Sequence, residues 1–430
     1  MNKKRIIIVL ALIFVVASTG ILIGRWSIVG AEGEGYEDLK VFTEALTMVK
    51  KNYVEEVKTK ELVYGAIKGM LSSLDPHSSF LNPEAYKEMQ AETKGEFGGI
   101  GIQIGIKEGM LTVIAPIEDT PAYRAGIKAG DKIVKINKES TKEMSLHDAV
   151  SKMRGAPKTS VTITILREGL KETKEFTLVR EIIKIKSVKS KLLEDGIGYV
   201  KINQFQEQTA SDLSTALEKL KQEQMNSLIL DLRNNPGGLL NSAVSVTSQF
   251  LPPDKLVVYI KGRKGDRTEY NTSDDRPNFD LPMIVLVNEG SASASEIVAG
   301  ALKDWNRAVV LGAKTFGKGS VQSVIPLSDG SGLRLTTAIY YTPKGTSIQA
   351  TGIVPDIIVK LEPKVKGKEH PVIREKDLER HLENNQEEEE LKEPEEMAPI
   401  EIEEKDDTQL QRAMDLLKTW KIFKELPKAS

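Results

Sequence analysis

The stretches Val287–Trp305, VNEGSASASEIVAGALKDW, and Gly312–Gln322, GAKTFGKGSVQ, decide how this chain is read. An apolar run, Met283 to Asn288, enters a small-residue turn over Glu289 to Ser293, and a helical pattern follows from Ser295. A strand, a tight turn and a helix in that order make an α/β unit. A hydroxyl on such a turn is lifted out of the core and sits at the positive end of the helix dipole. Lys318 lies between two glycines twenty-five positions after Ser293. A serine and a lysine that meet in space form a nucleophile and its base, and the chain then reads as a hydrolase.

Outward from this stretch, residues 181–362 alternate strands with helices. Strands are expected over 198–202, 227–232, 257–261, 283–288, 308–312 and 333–340. Helices are expected over 208–224, 239–250 and 295–305. That order argues for a sheet with helices packed against it. A second loop, Asp231-Leu232-Arg233-Asn234-Asn235-Pro236-Gly237-Gly238, follows a buried apolar run. Its glycines can turn backbone N–H groups toward a ligand. An oxyanion hole needs two such donors. The residue after the nucleophile commonly supplies one, here Ala294, and Gly238 or Gly237 supplies the other. By composition Ser291, Ser293 and Ser295 are equivalent. Ser295 reads as the helix N-cap, and Ser291 and Ser293 stay open.

A lysine acts as a base only when neutral. With an ordinary pKa of ~10.4 that form is scarce at neutral pH, and burial lowers the pKa by ~3 units. Lys318 has Phe316, Gly317, Gly319 and Val321 around it and no carboxylate nearby in sequence. Gln322 can orient the amine if the backbone between them bends, because four extended residues separate side chains by ~13 Å.

Composition narrows the alternatives. The chain has 430 residues and a formal net charge of −2, which speaks against nucleic acid as the main partner. It has no cysteine, which excludes disulfides and thiolate chemistry. Its four histidines show no metal-like spacing, so neither a metal nor another cofactor is expected.

At the N-terminus a stub, 1–5, carries Lys3, Lys4 and Arg5, and an uncharged run, 6–24, follows. At ~1.5 Å per residue that run spans ~28 Å, about one bilayer core. It predicts a single-pass anchor with the rest of the chain on the outer side of the cytoplasmic membrane, or else secretion after signal cleavage. Residues 36–92 read as a helical region, with apolar spacing at Leu39, Phe42, Leu46, Val49 and Tyr53 and again from Leu62 to Leu71. It packs either as core or as an arm on a partner chain. Residues 363–406 are a charged linker with four consecutive glutamates, Glu387 to Glu390. A last helix over 407–425 carries Leu410, Ala413, Met414, Leu417 and Trp420 on one face.

Residues 95–180 contain GGIGIQI, DTPAYRAGIKAGDKIVKIN and SLHDAV, which together resemble a PDZ domain. Domains of that kind bind the C-terminal carboxylate of an extended peptide. The resemblance implies a cradle at Gly99, Ile100, Gly101 and Ile102, with the apolar face of the 145–153 helix lining a side-chain pocket. The whole chain resembles the carboxyl-terminal processing (tail-specific) peptidases, serine proteases of family S41. The matching pieces are LDPHSSF, the PDZ segments, DLRNNPGG, GSASASEIVAGAL, TFGKGSVQ and REKDLERHLE.

The resemblance implies a crotonase/ClpP-like α/β core with an inserted PDZ domain and helical arms. It implies Ser293 as nucleophile, Lys318 as general base and Gln322 assisting, with polypeptide substrates and homodimers formed through terminal helices. It also implies a regulatory relay arginine, for which Arg154 is the candidate. Three other readings compete. One is a Ser-His-Asp hydrolase using His77, another is an acyl-CoA enzyme of the crotonase class, and the third is a non-catalytic, membrane-tethered PDZ adaptor.

Overall fold

The computed structural model describes residues 34–107, 109–169, 172–274, 279–360, 373–384 and 407–425. It divides into two compact units, Met1–Ser73 and Leu74–Ser430. The first holds α1 (Glu34–Asn52) and α2 (Thr59–Ser72). Leu39, Phe42 and Val49 on α1, and Tyr53 just past its end, are all exposed, so this helix builds no core of its own.

The expected membrane placement is corrected. Among the described residues no helix is long and apolar enough to cross a membrane. The longest, α1, carries acidic and basic side chains along its length. Residues 6–24, the expected anchor, lie outside the described residues.

The second unit opens with β1 (Ser79–Leu81), α3 (Pro83–Lys94) and β2 (Glu96–Gly99). Asn82 caps α3 by accepting the Ala85 N–H at 2.8 Å, and Gly95 closes it in the left-handed conformation. A small β-rich body follows: β3 (Ile102–Lys107), β4 (Met110–Pro116), α4 (Pro121–Arg124), β5 (Lys132–Ile136), β6 (Glu139–Ser140), α5 (Leu146–Met153), β7 (Ser160–Leu166) and β8 (Lys174–Val179). Its sheet runs β3-β4-β5-β7-β8, with β6 on β5. Alternate residues of β7, Val161, Ile163 and Ile165, point into a core shared with Ile133, Ile136 and Ala149.

The glycine string of residues 98–101 does not open a single strand. Gly98 and Gly99 belong to β2, which pairs with β9 (Glu181–Lys184) outside this sheet. A Cβ on Gly98 would strike the Gly155 carbonyl, so the two-stranded ribbon lies hard against the end of α5.

The larger body contains β10 (Val188–Leu192), β11 (Ile197–Ile202), α6 (Thr209–Gln222), β12 (Ser227–Asp231), α7 (Leu240–Thr247), β13 (Leu256–Gly262), β14 (Arg267–Asn271), β15 (Met283–Val287), α8 (Ala294–Asp304), β16 (Val309–Gly312), β17 (Ser320–Pro326), β18 (Gly332–Tyr341), β19 (Ile357–Ile358) and α9 (Thr408–Glu425). One sheet has the order β10-β11-β12-β15-β16-β19, parallel throughout except for β10.

Both of its faces are apolar, as a covered parallel sheet requires. Leu228, Leu230, Val285 and Val287 face α6, α7 and α8. Their neighbours Ile229, Ile284 and Leu286 face Leu410, Ala413 and Leu417 of α9. The C-terminal helix therefore packs on its own chain. A second sheet joins β1, β18, β13 and β14, with β17 also on β18.

Because Leu417 fills the α9 face of the sheet, Leu417→Ala is expected to cost about 2–5 kcal/mol. Chemical denaturation with unchanged m-value checks it.

Candidate active site

Three loops leave the carboxyl ends of adjacent strands β12, β15 and β16. They carry Arg233–Gly238, Asn288–Ser293 and Ala313–Gly319. Side-chain amides lock the first two together. Asn234 N–H donates to Asn288 Oδ1 and Asn288 Nδ2 donates to Asn234 Oδ1, both at 2.8 Å. Asn235, fully buried, donates Nδ2 to the Ile202 carbonyl, and its own carbonyl receives the Ala292 N–H.

The three serines now differ. Ser291 Oγ donates to the Leu232 carbonyl at 2.8 Å. Ser295 Oγ donates to the Asn235 carbonyl at 2.9 Å. Among the described residues Ser293 Oγ donates to no carbonyl; it lies beside the Tyr340 phenol, which burial pushes up to about 12. The helix N-cap is Ser293, two residues earlier than the sequence pattern suggests, and α8 begins at Ala294. Ser293 has φ 53° and ψ −111°. That left-handed, non-glycine backbone is strained by about 1–3 kcal/mol and is held only by its surroundings.

Glu296 supplies the holding, and sequence reading missed it. It is fully buried. Its Oε2 accepts the Ser293 N–H at 2.7 Å and the Lys318 N–H at 3.0 Å. Its Oε1 accepts the Thr315 hydroxyl at 2.5 Å and the Gly317 N–H at 2.7 Å. The serine turn and the lysine loop thus converge on one carboxylate. Burial raises this carboxyl to about 7 against the opposing pull of its four donors. The only advance signal was its position in the first turn of α8, three residues after Ser293.

Burial depresses the Lys318 amine, and Arg334 adds to the shift, while Glu375, Glu296 and Asp75 oppose it. The sequence placed no carboxylate near this lysine; the fold brings three. The structure has no direct hydrogen bond between Ser293 Oγ and Lys318 Nζ among the described residues. Gln322 does not reach the amine either. Its Nε2 donates to Ser320 Oγ at 2.9 Å and to the Ser320 carbonyl at 3.1 Å, just before an irregularity in β17.

Of the two oxyanion candidates, Gly237 has spent its N–H on Asn235 Oδ1 at 2.9 Å. The N–H groups of Gly238 and Ala294 make no bond among the described residues. A Cβ on Gly237 would lie 2.9 Å from Ser293 Cβ and 3.0 Å from the Ala294 nitrogen, so this glycine keeps the space before the serine open. Arg233 ties the same loop to the C-terminal segment. It is buried between Asp231 and Asp407, with Nη2 at 2.7 Å and 2.8 Å from their carboxylates.

His77 is not placed as a base for the serine. Its Nε2 meets both carboxylate oxygens of buried Glu375, at 2.7 and 2.9 Å. In the small β-rich body, Gly101 has φ 76°, and its carbonyl and that of Ile100 are taken by Ile117 and Ala122. The N–H groups of Ile100 and Gly101 carry no partner among the described residues. Ile102 starts β3, an edge strand of the sheet. Gly99 is committed to the ribbon, paired with Glu181. Arg154 ends α5 and stacks on the Phe97 ring at 4.5 Å, without a bond to the serine or the lysine.

A strained serine at a helix N-terminus, with two open amides beside it and a half-buried lysine on the adjoining loop, is the arrangement of a serine peptidase. Comparison with known proteins agrees. Residues 196–359 match peptidase family S41, residues 112–167 match the PDZ domain, and residues 27–85 match the activating protease CtpB N-terminal domain. The chain is 42% identical over 421 residues to a carboxy-terminal-processing protease of Bartonella bacilliformis, covering 96% of each. It is 36% identical to the carboxy-terminal processing protease CtpB of Bacillus subtilis, covering 77% of this chain and 69% of that one. A solved photosystem II D1 C-terminal processing protease is 31% identical, with a TM-score of 0.45 over 74% of this chain and 92% of that one. The chain belongs to peptidase family S41, as a carboxyl-terminal processing serine peptidase with a PDZ domain.

Glu296→Gln keeps one acceptor oxygen and turns an NH2 group on two of the four donors. It is expected to lower kcat at least about 100-fold, through misplacement of the reacting groups. It is expected to cost about 2–4 kcal/mol of stability. The unfolded chain ionises this group near its ordinary 4.5 and the folded one near about 7. The unfolded state therefore releases the proton first, and the group weakens the fold as pH climbs through that window. The stability gap between wild type and Glu296→Gln should narrow over the same range, as measured by denaturation at several pH values.

Proposed function

We propose that this protein cleaves polypeptides through a Ser293–Lys318 dyad, after capture of a substrate C-terminus by its PDZ domain. The observation that carries this reading is the shared Glu296 oxygen, which brings the backbones of both residues to one point. Neutral Lys318 removes the proton from Ser293 Oγ as that oxygen attacks the scissile carbonyl. The Ala294 and Gly238 N–H groups receive the developing negative charge. Lys318 then gives its proton to the leaving amine as the C–N bond breaks. In the second half Lys318 takes a proton from water, which attacks the acyl-enzyme, and returns it to Ser293 as the new C-terminal chain departs. The absence of a serine–lysine bond in the free protein does not count against the pair, since such bonds tighten when substrate binds.

Gln322 assists the amine in this reading after its side chain leaves Ser320. Support for peptide capture comes from the unpartnered amides of Ile100 and Gly101, beside the free edge of β3. An incoming carboxylate would meet those N–H groups, and its chain would extend the sheet. Arg154, at the junction of α5 and the β2–β9 ribbon, in this reading passes the occupancy of that groove toward the core, a role its stacking on Phe97 supports. A crotonase/ClpP-like core is supported by the repeated passage from strand to helix to parallel strand through β11, β12, β15 and β16.

The test uses purified protein and an unstructured polypeptide. Ser293→Ala and Lys318→Ala should each lower cleavage by at least about 1000-fold. Cleavage that persists in Ser293→Ala would remove the assignment. No cleavage by wild type would favour the adaptor reading.

Because burial depresses the Lys318 pKa, the base is charged and inactive at low pH. Activity should rise with pH through that depressed value. A flat profile between about pH 5 and 9, with Ser293 still required, would contradict it.

A further inference from the structure

The lysine loop has a second anchor, supplied by residues far away in sequence. Residues 373–384 lie against it. Glu375 N–H reaches the Phe316 carbonyl at 3.3 Å, two residues before Lys318. The Glu375 side chain is fully buried and accepts His77 Nε2 at 2.7 and 2.9 Å. It also accepts Gln349 Nε2 at 2.9 Å. The other end of that glutamine, Oε1, accepts the Gly319 N–H at 3.0 Å. One chain of bonds therefore runs from His77 through Glu375 and Gln349 to the peptide that follows Lys318. A Cβ on Gly319 would run into the Gln349 backbone, so the loop fits this anchor only as glycine.

The same carboxylate acts on the amine itself. Among the described residues, charged groups on four elements act on the Lys318 amine: Glu375 from the 373–384 segment, Glu296 from α8, Asp75 from the turn before β1, and Arg334 from β18. Asp75 is saturated by the N–H groups of His77 and Ser78 and the hydroxyls of Ser78 and Thr336. Glu296 is saturated by its four donors. Arg334 Nε donates to the His77 carbonyl at 3.1 Å, which sets it in the same cluster. Glu375 differs from the other two carboxylates in that its donors are side chains, one of them an imidazole.

We propose that Glu375, fixed by His77 and Gln349, is a positioning residue for Lys318, holding the lysine loop and setting the pH range in which the amine is uncharged. This rests on the reading of Lys318 as the general base. A buried negative charge favours the ammonium form, so its removal lets the amine lose its proton at lower pH. A weaker hold on that carboxylate by His77 leaves its field less compensated and acts the other way. The two ends of one hydrogen-bonded pair should thus move the pH profile in opposite directions, which a purely structural pair would not do.

The experiment measures kcat against pH for wild type, Glu375→Gln, His77→Ala and His77→Gln in the full chain, with thermal melts alongside. In Glu375→Gln the acidic limb is expected to move down by ~1 pH unit. In His77→Ala it is expected to move up, with a plateau about tenfold lower, and His77→Gln, which restores a donor, should recover most of that loss. If Glu375→Gln lowers only the melting temperature and leaves the limb in place, the proposal is overturned. If that variant does not fold, an unmoved limb in His77→Ala overturns it equally. The Ser293→Ala control separates the two levels. Cleavage surviving there defeats the dyad itself, whereas Ser293-dependent cleavage with unmoved limbs defeats only the role of Glu375.

Discussion

One carboxylate, buried without a salt-bridge partner among the described residues, organises this site. Burying an ionised Glu costs several kcal/mol unless its oxygens are satisfied. Glu296 meets that cost with four donors drawn from two loops. The satisfaction is mutual. Ser293 and Lys318 have amides at turns where no regular ladder can bond them, and the carboxylate serves both. The left-handed backbone of Ser293 persists because Glu296 pins its N–H while Asn235 pins the turn residue before it. A change that frees either side releases the serine and the lysine together.

The parallel sheet is what allows three loops to meet there. Strands β12, β15 and β16 are neighbours and point the same way, so their carboxyl ends present their loops along one edge. Their alternating apolar residues bind α6, α7 and α8 on one face and α9 on the other. The α9 contact also reaches the chemistry, because Asp407 at its start holds Arg233 in the loop that carries Gly238. The last segment of the chain is thereby part of the frame on which the oxyanion donors rest.

Much of this could be read from the sequence, for physical reasons that differ by element. Four strands of the large sheet, β11, β12, β15 and β16, are visible as short apolar runs whose ends fall within a residue of expectation, while β10, with lysines at alternate positions, and the two-residue β19 are not. The helix after the serine turn is visible as well, but its start is misplaced. Ser293 and Ser295 both suit an N-cap by composition, and only the Asn235 carbonyl, sixty positions away, decides that Ser295 is engaged elsewhere. Gly237 and Gly238 look interchangeable until the Asn235 side chain takes the first. The glycine string at 98–101 hides a break, because β2 finds its partner in β9, across the whole PDZ body. Glu296 escaped notice as an ordinary first-turn acid, and Glu375 lies fifty-seven residues beyond the lysine it faces. Local pattern gives local structure. These carboxylates are defined by what folds onto them.

Lysine as a base is the claim on which the rest converges, and its amine can be titrated directly. Lysine labelled with 13C at Cε, with Lys318→Arg to assign the signal, reports the protonation of each amine by NMR. The account predicts that the Lys318 signal titrates below the ~10.4 of an ordinary lysine. A signal that titrates at or above that value, in a protein that still cleaves through Ser293, would contradict it.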